Sequence, residues 1–412
     1  MRKVPSSIAS IEDLRRRAHA RVPKPFMDYV EAGSFSEITL RENRRDLDSI
    51  RFRERVMLDV SNRKLETTML GEKVAMPVAI GPTGMCGAVW SNGEILSCRA
   101  AHDFGIPFSL STNALLSIED VRGSVSRPFW FQLYLEKDRG FSKELLERAK
   151  AAGCPVLILT MDLHVEGTRY VDAHNGLGMP PKLTPANVWS IVSHPTWALA
   201  MLHSKRWSFG NYAGKVKSGN VKEMAELVRS QLDSSFDVKT LEWVRSLWPG
   251  KLIVKGILDV EDARMALDAG ADAILVSNHG GRQLDSAPST ASVLPSIVDA
   301  VGDRTEVYVD SGVRSGLDVL KFLGLGARAC FLGRAYLYGL GAYGQAGVTK
   351  ALQILSNELS TAMALTGVTD VQHVPSDVIL RPPPDEISFT PEEREERSAF
   401  PAFTKDKSKE RP

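Results

Sequence analysis

The feature that most constrains the fold is a series of eight short apolar runs, most of which end in a polar residue or a glycine. The runs are residues 76–83, 105–112, 129–134, 155–162, 251–256, 272–278, 306–310 and 328–333. Continuous Val, Ile and Leu of this length are typical of strands buried on both faces, as in parallel sheets. Amphipathic segments lie between most runs, and two of them, 142–153 and 260–270, end at Ala-Gly, a common helix stop.

A strand and a helix repeated eight times predict an α/β fold, a (β/α)8 TIM barrel. We expect the barrel to occupy residues 76–375 and to follow a helical lead-in, residues 1–75, that packs on it. Residues 381–412 are rich in proline and charge, which predicts a disordered tail. The alternative fold is a doubly wound open sheet, but the GxGxxG opening turn that such folds often carry is absent.

One interval, between the fourth and fifth runs, is too long for a single crossover helix. It predicts an insert after the fourth strand at about residues 176–240, including the segment WSIVSHPTWALAMLHSKRWSFGNY (189–212). One interpretation is a partly ordered excursion or an oligomer contact. The other is an interfacial membrane patch, because aromatic and basic side chains together favour headgroup surfaces.

Charge and cysteine usage exclude several classes of function. Lys and Arg number 51 against 50 Asp and Glu, so no overall field favours nucleic acid. The four cysteines have no CxxC spacing, and no histidine pairs with acids at metal-ligand spacing, so neither disulfides nor a metal site are predicted. The chain start lacks an apolar signal core, and no run approaches eighteen apolar residues. We therefore expect a soluble or peripheral protein of the cytoplasm.

Polar residues at the strand ends are the candidates for function, because all eight carboxyl ends of such a barrel meet at one mouth. The stretch SNHGGRQLD (277–285) puts a base, His279, and a carboxylate clamp, Arg282, on one turn. Asp162 ends the fourth run and can stabilise a protonated imidazole. Lys255 ends the fifth run, where it can form a Schiff base or supply a fixed charge beside a ring that gains electrons.

The last two runs end in the glycine-rich stretches DSGVRSG (310–316) and LGRAYLYG (332–339). Their glycines permit close backbone approach and their arginines supply forks for a phosphate: Gly312, Gly316, Gly333, Arg314 and Arg334. This pattern predicts a phosphorylated cofactor or substrate without naming it.

Together these motifs resemble those of the FMN-dependent L-2-hydroxy acid dehydrogenases and oxidases, from about Ser6 to Thr369. SNHGGRQLD is highly specific to that group. The bacterial, quinone-linked L-lactate dehydrogenase branch is the most similar, through WFQLYLEKDRGF (130–141) and VKGILDVEDAR (254–264). Mandelate dehydrogenases come next, through IGPTGMCGAVW (80–90).

The resemblance implies roles for individual residues. His279 would be the base, assisted by Asp162, with Tyr134 bonded to the substrate hydroxyl and Lys255 stabilising negative charge on the reduced flavin. The substrate carboxylate would be bound by Tyr29, Arg169 and Arg282. The FMN contacts would come from Pro82, Thr83, Gly84, Ser111, Gln132, Thr160, Lys255, Ser277, Asp310, Gly312, Arg314, Gly333 and Arg334.

The implied reaction is the oxidation of an L-2-hydroxy acid, L-lactate to pyruvate, with electrons passing from FMN to a quinone or another acceptor. The resemblance also implies a homotetramer with peripheral contact, through 176–240, to the cytoplasmic face of the inner membrane. The alternatives are an L-mandelate or broader 2-hydroxy acid dehydrogenase and an oxygen-using oxidase. Asn113 and Gly84 stand where glycolate oxidases carry an aromatic residue and alanine, which suggests a roomier pocket and poorer use of oxygen.

Two other classes of function stay open. One is a flavin or phosphate-ester barrel that isomerises or synthesises and shares only the phosphate loops. The other is a non-catalytic barrel that serves as a binding protein. The presence of His279 with Arg282 argues against the first, and the unbroken set of candidate catalytic groups argues against the second.

Overall fold

The eight predicted runs all form strands of one sheet in a computed structural model, which describes residues 4–176, 184–215, 227 and 230–380. The strands, labelled β1 to β8 in chain order, are Val78–Ile80, Ser109–Ser111, Trp130–Leu133, Val156–Thr160, Lys251–Ile257, Ala273–Val276, Glu306–Val309 and Ala329–Leu332. All neighbouring strands are parallel, and β1 pairs with β8. A single parallel bridge, Ile80 with Phe108, links β1 to β2. The predicted (β/α)8 barrel is therefore confirmed, as a nearly closed one.

The barrel interior is filled by alternate residues of each strand, as the two-residue period of a strand requires. Large inward side chains such as Trp130, Tyr308 and Phe331 pack against small ones such as Ala273 and Ala329. The hairpin formed by strands Thr67–Met69 and Glu72–Val74 joins this cluster through Met69 and Val74. Side chains fill the amino-terminal half of the barrel. Space for a site is therefore expected at the carboxyl ends of the strands.

The helices cover the outside of the barrel and bury their apolar faces against the other side of the strands. Polar caps begin several of them; for example, Ser315 and Asp318 form a reciprocal capping box. The helices from β1 onward are Cys86–Val89, Gly93–Phe104, Ile118–Arg122, Arg139–Ala151, Tyr170–His174, Pro185–Val192, Pro195–Met201, Val238–Leu247, Val260–Asp268, Thr290–Val301, Gly316–Gly324, Arg334–Tyr343 and Gln345–Thr366, with 3-10 turns at Gly210–Tyr212 and Ser376–Val378.

The lead-in forms three helices, Ile11–His19, Lys24–Glu31 and Ile38–Ser49, and a short strand, Arg51–Phe52, that pairs with Ile379–Leu380. The loop between its second and third helices lies across the barrel mouth. There, Ser34 N–H donates to Gly281 O (2.8 Å) and Phe35 N–H donates to Thr168 O (2.7 Å). The lead-in therefore helps to shape the mouth.

The insert after β4 packs on the barrel through one face and exposes the other. Trp197 stacks on Phe26 with 4.9 Å between ring centroids and donates to Ala88 O, and Tyr212 is 1% exposed. Among the residues that the structure describes, no helix is long and apolar enough to cross a membrane. Part of the predicted insert and the whole predicted tail, 381–412, lie outside the described residues.

Candidate active site

A cleft opens at the carboxyl ends of the strands, with about 1310 Å³ of empty space including its open mouth. Its floor continues the inward register of the barrel core, since the last inward core residue of a strand is followed two positions later by a polar residue or a glycine, as Tyr308 is by Asp310 and Phe331 by Gly333. The predicted site residues that line it are Tyr29, Pro82, Thr83, Gly84, Tyr134, Arg169, Lys255, His279, Arg282, Asp310, Gly312, Arg314, Gly333 and Arg334. The other predicted residues, Asp162, Ser111, Gln132, Thr160 and Ser277, are not among its lining.

His279 lies just beyond β6 between an acid and a phenol. Its Nδ1 is 3.0 Å from Asp162 Oδ1, and its Nε2 is 3.3 Å from Tyr134 Oη. Because an ionised carboxylate only accepts hydrogen bonds, Nδ1 carries the proton and the Nε2 lone pair is directed towards Tyr134. The backbone holds this position in the left-handed region, with φ of 59°, and its N–H donates to Ser277 Oγ. Such strained non-glycine residues cluster at active sites.

The protonation states of this group follow from burial and charge. Burial lowers the pKa of the His279 imidazole below its ordinary value, although Asp162 opposes the shift. Burial alone would raise the pKa of Asp162, but the interaction with His279 and the charge of Lys255 hold it below its ordinary value. Burial raises the pKa of the Tyr134 hydroxyl far above its ordinary value. Near neutral pH the site therefore holds a carboxylate, a neutral imidazole that can accept a proton, and a protonated phenol.

Two guanidinium groups flank Tyr29 and make one side of the cleft positive. Arg282 lies 4.7 Å from the Tyr29 ring centroid and Arg169 lies 5.9 Å from it. Arg282 donates to the carbonyls of Tyr29 and Ala32 at 2.7 and 2.8 Å. Two neighbouring guanidinium groups, each with several N–H donors, suit the binding of a small carboxylate.

Arg169 is held by two acids from its own loop. Its Nε donates to Asp172 (2.5 Å) and one terminal nitrogen donates to Glu166 (2.7 Å). Although burial opposes it, the neighbours Tyr29, Glu166 and Asp172 raise the pKa of Arg169 above its ordinary value. Arg169 therefore stays charged and oriented before any ligand arrives.

Lys255 presents a buried ammonium group to the cleft and is only 4% exposed. Its Nζ donates to Ser277 Oγ (2.7 Å) and lies 3.5 Å from Asp310 Oδ2. Ser277 therefore acts from beneath the cleft by orienting Lys255, whose charge the Asp310 carboxylate partly balances.

A chain of hydrogen bonds lies beneath the cleft across the ends of β2, β3 and β4. Ser111 Oγ donates to Gln132 Oε1, and Gln132 Nε2 donates to Thr160 Oγ1, both at 3.0 Å. All three side chains are buried. The network fixes the orientation of the Gln132 amide. A buried amide without such partners would have no preferred orientation.

The glycine-rich segments after β7 and β8 differ in packing: Gly312, after β7, is tightly packed, whereas Gly333, after β8, faces open space. Gly312 has φ of 97°, and a Cβ there would lie 2.8 Å from Asn43 O, so only glycine fits. A Cβ at Gly333 would meet nothing within 4 Å, so this position faces open space. The Arg314 guanidinium lies 5.5 Å from the Tyr338 ring centroid.

The Arg334 side chain is engaged with the backbone. It donates to the carbonyls of Val30, Gly280 and Ala32 at 2.8 to 2.9 Å. Burial, with a smaller contribution from nearby arginines, lowers its pKa to about 9. Its side chain therefore ties the lead-in to the end of β8, while its backbone begins the helix Arg334–Tyr343 at the cleft.

Sequence reasoning did not single out several residues that also line the cleft, including Leu163, Glu166, Leu232 and Gln283. Gln283 donates to Asp162 O (2.7 Å), so it joins the loops after β4 and β6. Because Gln283 lies within SNHGGRQLD, the sequence could have marked it as a site residue. Glu166 lies three residues before Arg169, a spacing that could have predicted their ion pair. No pattern marks Leu232, which comes from the insert.

Comparison with known proteins identifies the family. A family model described as FMN-dependent dehydrogenase matches residues 18–381. An L-lactate dehydrogenase of Pseudomonas syringae pv. syringae (strain B728a) is 44% identical over 378 residues, 91% of this chain and 99% of that protein.

Solved structures agree with the sequence comparison. A monotopic membrane protein, (S)-mandelate dehydrogenase, superposes with a TM-score of 0.87 at 38% identity, covering 92% of this chain and 100% of that one. A mandelate oxidase with (S)-4-hydroxymandelic acid superposes with a TM-score of 0.78 at 33% identity, covering 90% and 98%. Since the family model spans most of the sequence, the chain belongs to the FMN-dependent dehydrogenase family.

Proposed function

We propose that this enzyme oxidises an L-2-hydroxy acid, with L-lactate as substrate and pyruvate as product, and that a quinone or another acceptor then takes the electrons. The observation that carries the proposal is the neutral His279 imidazole, held by Asp162 beside Tyr134 and across from two guanidinium groups. A base beside a carboxylate clamp suits an acid whose neighbouring carbon bears a hydroxyl.

FMN is the cofactor of the family, and the described residues fit it. The open space at Gly333 leaves room for a bulky group, and Gly312 and Arg314 suit a phosphate at the same end. Lys255 brings a buried positive charge to the cleft, which suits a ring that becomes negative on reduction. FMN, when bound, supplies the acceptor for two electrons.

The proposed contacts with FMN fall into two groups. Pro82, Thr83 and Gly84 would face the ring system, with Ser111, Gln132, Thr160, Lys255 and Ser277 at its edge. Asp310, Gly312, Arg314, Gly333 and Arg334 would hold the ribityl phosphate, Arg334 through its backbone because its side chain is engaged.

The protein groups divide the work on the substrate. Arg282 and Arg169, with the Tyr29 hydroxyl, bind the carboxylate and thereby fix the orientation of the carbon that bears the hydroxyl. Tyr134, protonated at neutral pH, bonds to the substrate hydroxyl. His279 Nε2 takes a proton from the substrate, and Asp162 stabilises the resulting imidazolium.

The first experiment is anaerobic mixing of the FMN-loaded protein with L-lactate or D-lactate while the flavin absorbance is recorded. We expect bleaching with the L enantiomer alone. His279→Gln should keep the yellow colour but lose the bleaching, whereas His203→Gln, on the exposed insert, serves as the matched control and should bleach normally. Yellow protein that no 2-hydroxy acid bleaches would overturn the proposal.

A second candidate substrate is L-mandelate. A Cβ on Gly84 would lie 3.3 Å from Asn113 O and 3.8 Å from Tyr29 Oη, so the missing side chain widens the cleft beside the carboxylate clamp. The structural neighbours named for mandelate support this candidate. Rates of flavin reduction with L-lactate and L-mandelate, measured side by side, decide between the two.

We also propose that the insert contacts a membrane surface from the cytoplasmic side. It exposes Trp189 (73%), Leu202 (70%) and Val192 (63%), and the basic residues Lys205 and Arg206 follow in the same segment. Amphipathic surfaces of this composition bind the headgroup region, and a structural neighbour is itself described as monotopic. Co-sedimentation with anionic vesicles tests the contact.

The domain organisation and the oligomeric state are part of the same proposal. The lead-in 1–75 and the barrel 76–375, with its insert at 176–240, form one catalytic unit, and the predicted tail, 381–412, lies outside the described residues. The unit assembles as a homotetramer, which light scattering of the purified protein tests.

A further inference from the structure

A buried polar cluster reaches the cleft but takes no part in the reaction described above. Glu136 follows β3 and is 2% exposed, and Tyr212 comes from the insert and is 1% exposed. The Tyr212 hydroxyl lies between Glu136 Oε1, at short hydrogen-bonding distance, and Asn113 Oδ1, at 3.2 Å. Asn113 lines the cleft.

The single proton of the Tyr212 hydroxyl determines how the Asn113 amide is presented. When Glu136 is ionised, Tyr212 donates to it and can only accept from Asn113, which must then turn its NH₂ group towards Tyr212. When Glu136 is protonated, Tyr212 donates to the Asn113 carbonyl instead. In both states Tyr212 holds one end of the amide. Within the described part of the chain the other end has no hydrogen-bond partner.

Asn113 also lies where the substrate side chain must go. The arginines and Tyr29 hold the carboxylate, and Tyr134 and His279 hold the hydroxyl and take the proton. Gly84 and Asn113 border the space that remains, because a Cβ on Gly84 would lie 3.6 Å from Asn113 Cβ. The polar group at that end of the cleft is therefore an oriented amide.

We propose that Asn113, oriented by Tyr212 and Glu136, is a specificity-determining residue: among 2-hydroxy acids longer than lactate, it favours one with a hydrogen-bonding group, such as a hydroxyl, on the carbon next to C2 over an alkyl analogue of the same size. This inference rests on the proposed function and names its substrate class. An alkyl side chain would displace water from the free end of the amide without replacing its hydrogen bond, whereas a hydroxyl pairs with either end. Sites that hydrogen-bond a substrate group discriminate against analogues that lack it.

The test compares L-glycerate with L-2-hydroxybutyrate, which differ only by a hydroxyl in place of a methyl group. For the FMN-loaded enzyme we expect kcat/KM to be about tenfold higher for L-glycerate, the scale of one neutral hydrogen bond. Asn113→Leu should abolish or reverse this preference. Tyr212→Phe, which keeps the ring but removes the hydroxyl, should reduce the ratio towards one.

Tyr308→Phe is the matched control, because Tyr308 is also buried and its hydroxyl also bonds to a glutamate, Glu306, but at the opposite end of the barrel. It should leave the ratio unchanged, since general destabilisation lowers both rates together. A wild-type ratio of one or less, or a ratio unaffected by Asn113→Leu and Tyr212→Phe, overturns the inference. If L-lactate still bleaches the flavin, either of those results overturns this inference and leaves the proposed function intact. If no 2-hydroxy acid bleaches the flavin, the proposed function itself is overturned.

Discussion

Replacing Glu136 with glutamine should stabilise the protein at alkaline pH and leave its stability unchanged at acid pH. The Glu136 side chain is buried, and its Oε2 has no hydrogen-bond partner among the described residues. Burial raises the pKa of the Glu136 carboxyl from its ordinary 4.5 to about 7, with Asp138 contributing and the hydrogen bond from Tyr212 opposing. The charged form is therefore the costly one, because an ionised oxygen is left without a partner.

The size of the effect follows from linkage. A pKa unit corresponds to about 1.4 kcal/mol, so a rise from 4.5 to about 7 amounts to about 3 kcal/mol. Because the folded-state pKa is the higher one, this stability is fully present below pH 4.5 and is lost as the pH rises through about 7. Glutamine still accepts from Tyr212 but never ionises, so the variant avoids the loss.

The assay is thermal unfolding of the FMN-loaded protein at pH 5 and pH 8.5, followed by circular dichroism. Glu136→Gln should unfold at a temperature roughly 4 °C higher than wild type at pH 8.5, for a protein of this size, and only about 1 °C higher at pH 5, where the unfolded wild-type carboxyl has begun to ionise. The exposed Glu147→Gln is the control and should show no such pH-dependent gain. A Glu136→Gln variant that is no more stable at pH 8.5 than at pH 5, relative to wild type, would refute the reasoning.

Four further outcomes are expected. Asp162→Asn should slow flavin reduction by roughly 10²- to 10⁴-fold, because asparagine can still accept from His279 Nδ1 but has no negative charge to stabilise the imidazolium; a normal stopped-flow rate would contradict this. In wild type the same rate should fall as the pH falls, because neutral His279 is the base; the lowered pKa puts the fall below pH 6.5, and a fall centred higher would be inconsistent with it. Gly84→Ala should fold and lower the ratio of L-mandelate to L-lactate turnover, since its Cβ occupies the cleft. Trp189→Ser should lower the affinity for anionic vesicles, measured by co-sedimentation, roughly tenfold. Met57→Ser, which alters a residue exposed outside the insert, should leave that affinity unchanged.

The fold was predictable because the strongest signals were local. Segments such as 156–159 are continuously apolar, and this pattern predicts a buried strand from local sequence alone. The inward register then extends past the strand end, from Ile158 to Thr160 and Asp162, so the polar residues of the mouth could be assigned from the same runs.

The partners of long side chains were not predictable in the same way. The sequence predicts that Arg282 and Arg334 bind anionic ligands, and the structure shows both guanidinium groups bonded to lead-in carbonyls. Those carbonyls belong to a segment hundreds of positions away, and their approach depends on tertiary packing. The same holds for Glu136 and Tyr212, which are separated by 76 positions and share no local pattern.

The bond between Arg334 and the lead-in has a consequence for how the protein is made. Arg334 and Val30 are 304 positions apart, and the strand Arg51–Phe52 pairs with Ile379–Leu380, which comes still later in the chain. During synthesis the lead-in emerges from the ribosome long before its anchors do. The barrel mouth, with its clamp around Tyr29, can therefore assemble only after β8 has emerged, so a chain stalled before β8 would lack the anchor that holds its lead-in helices in place.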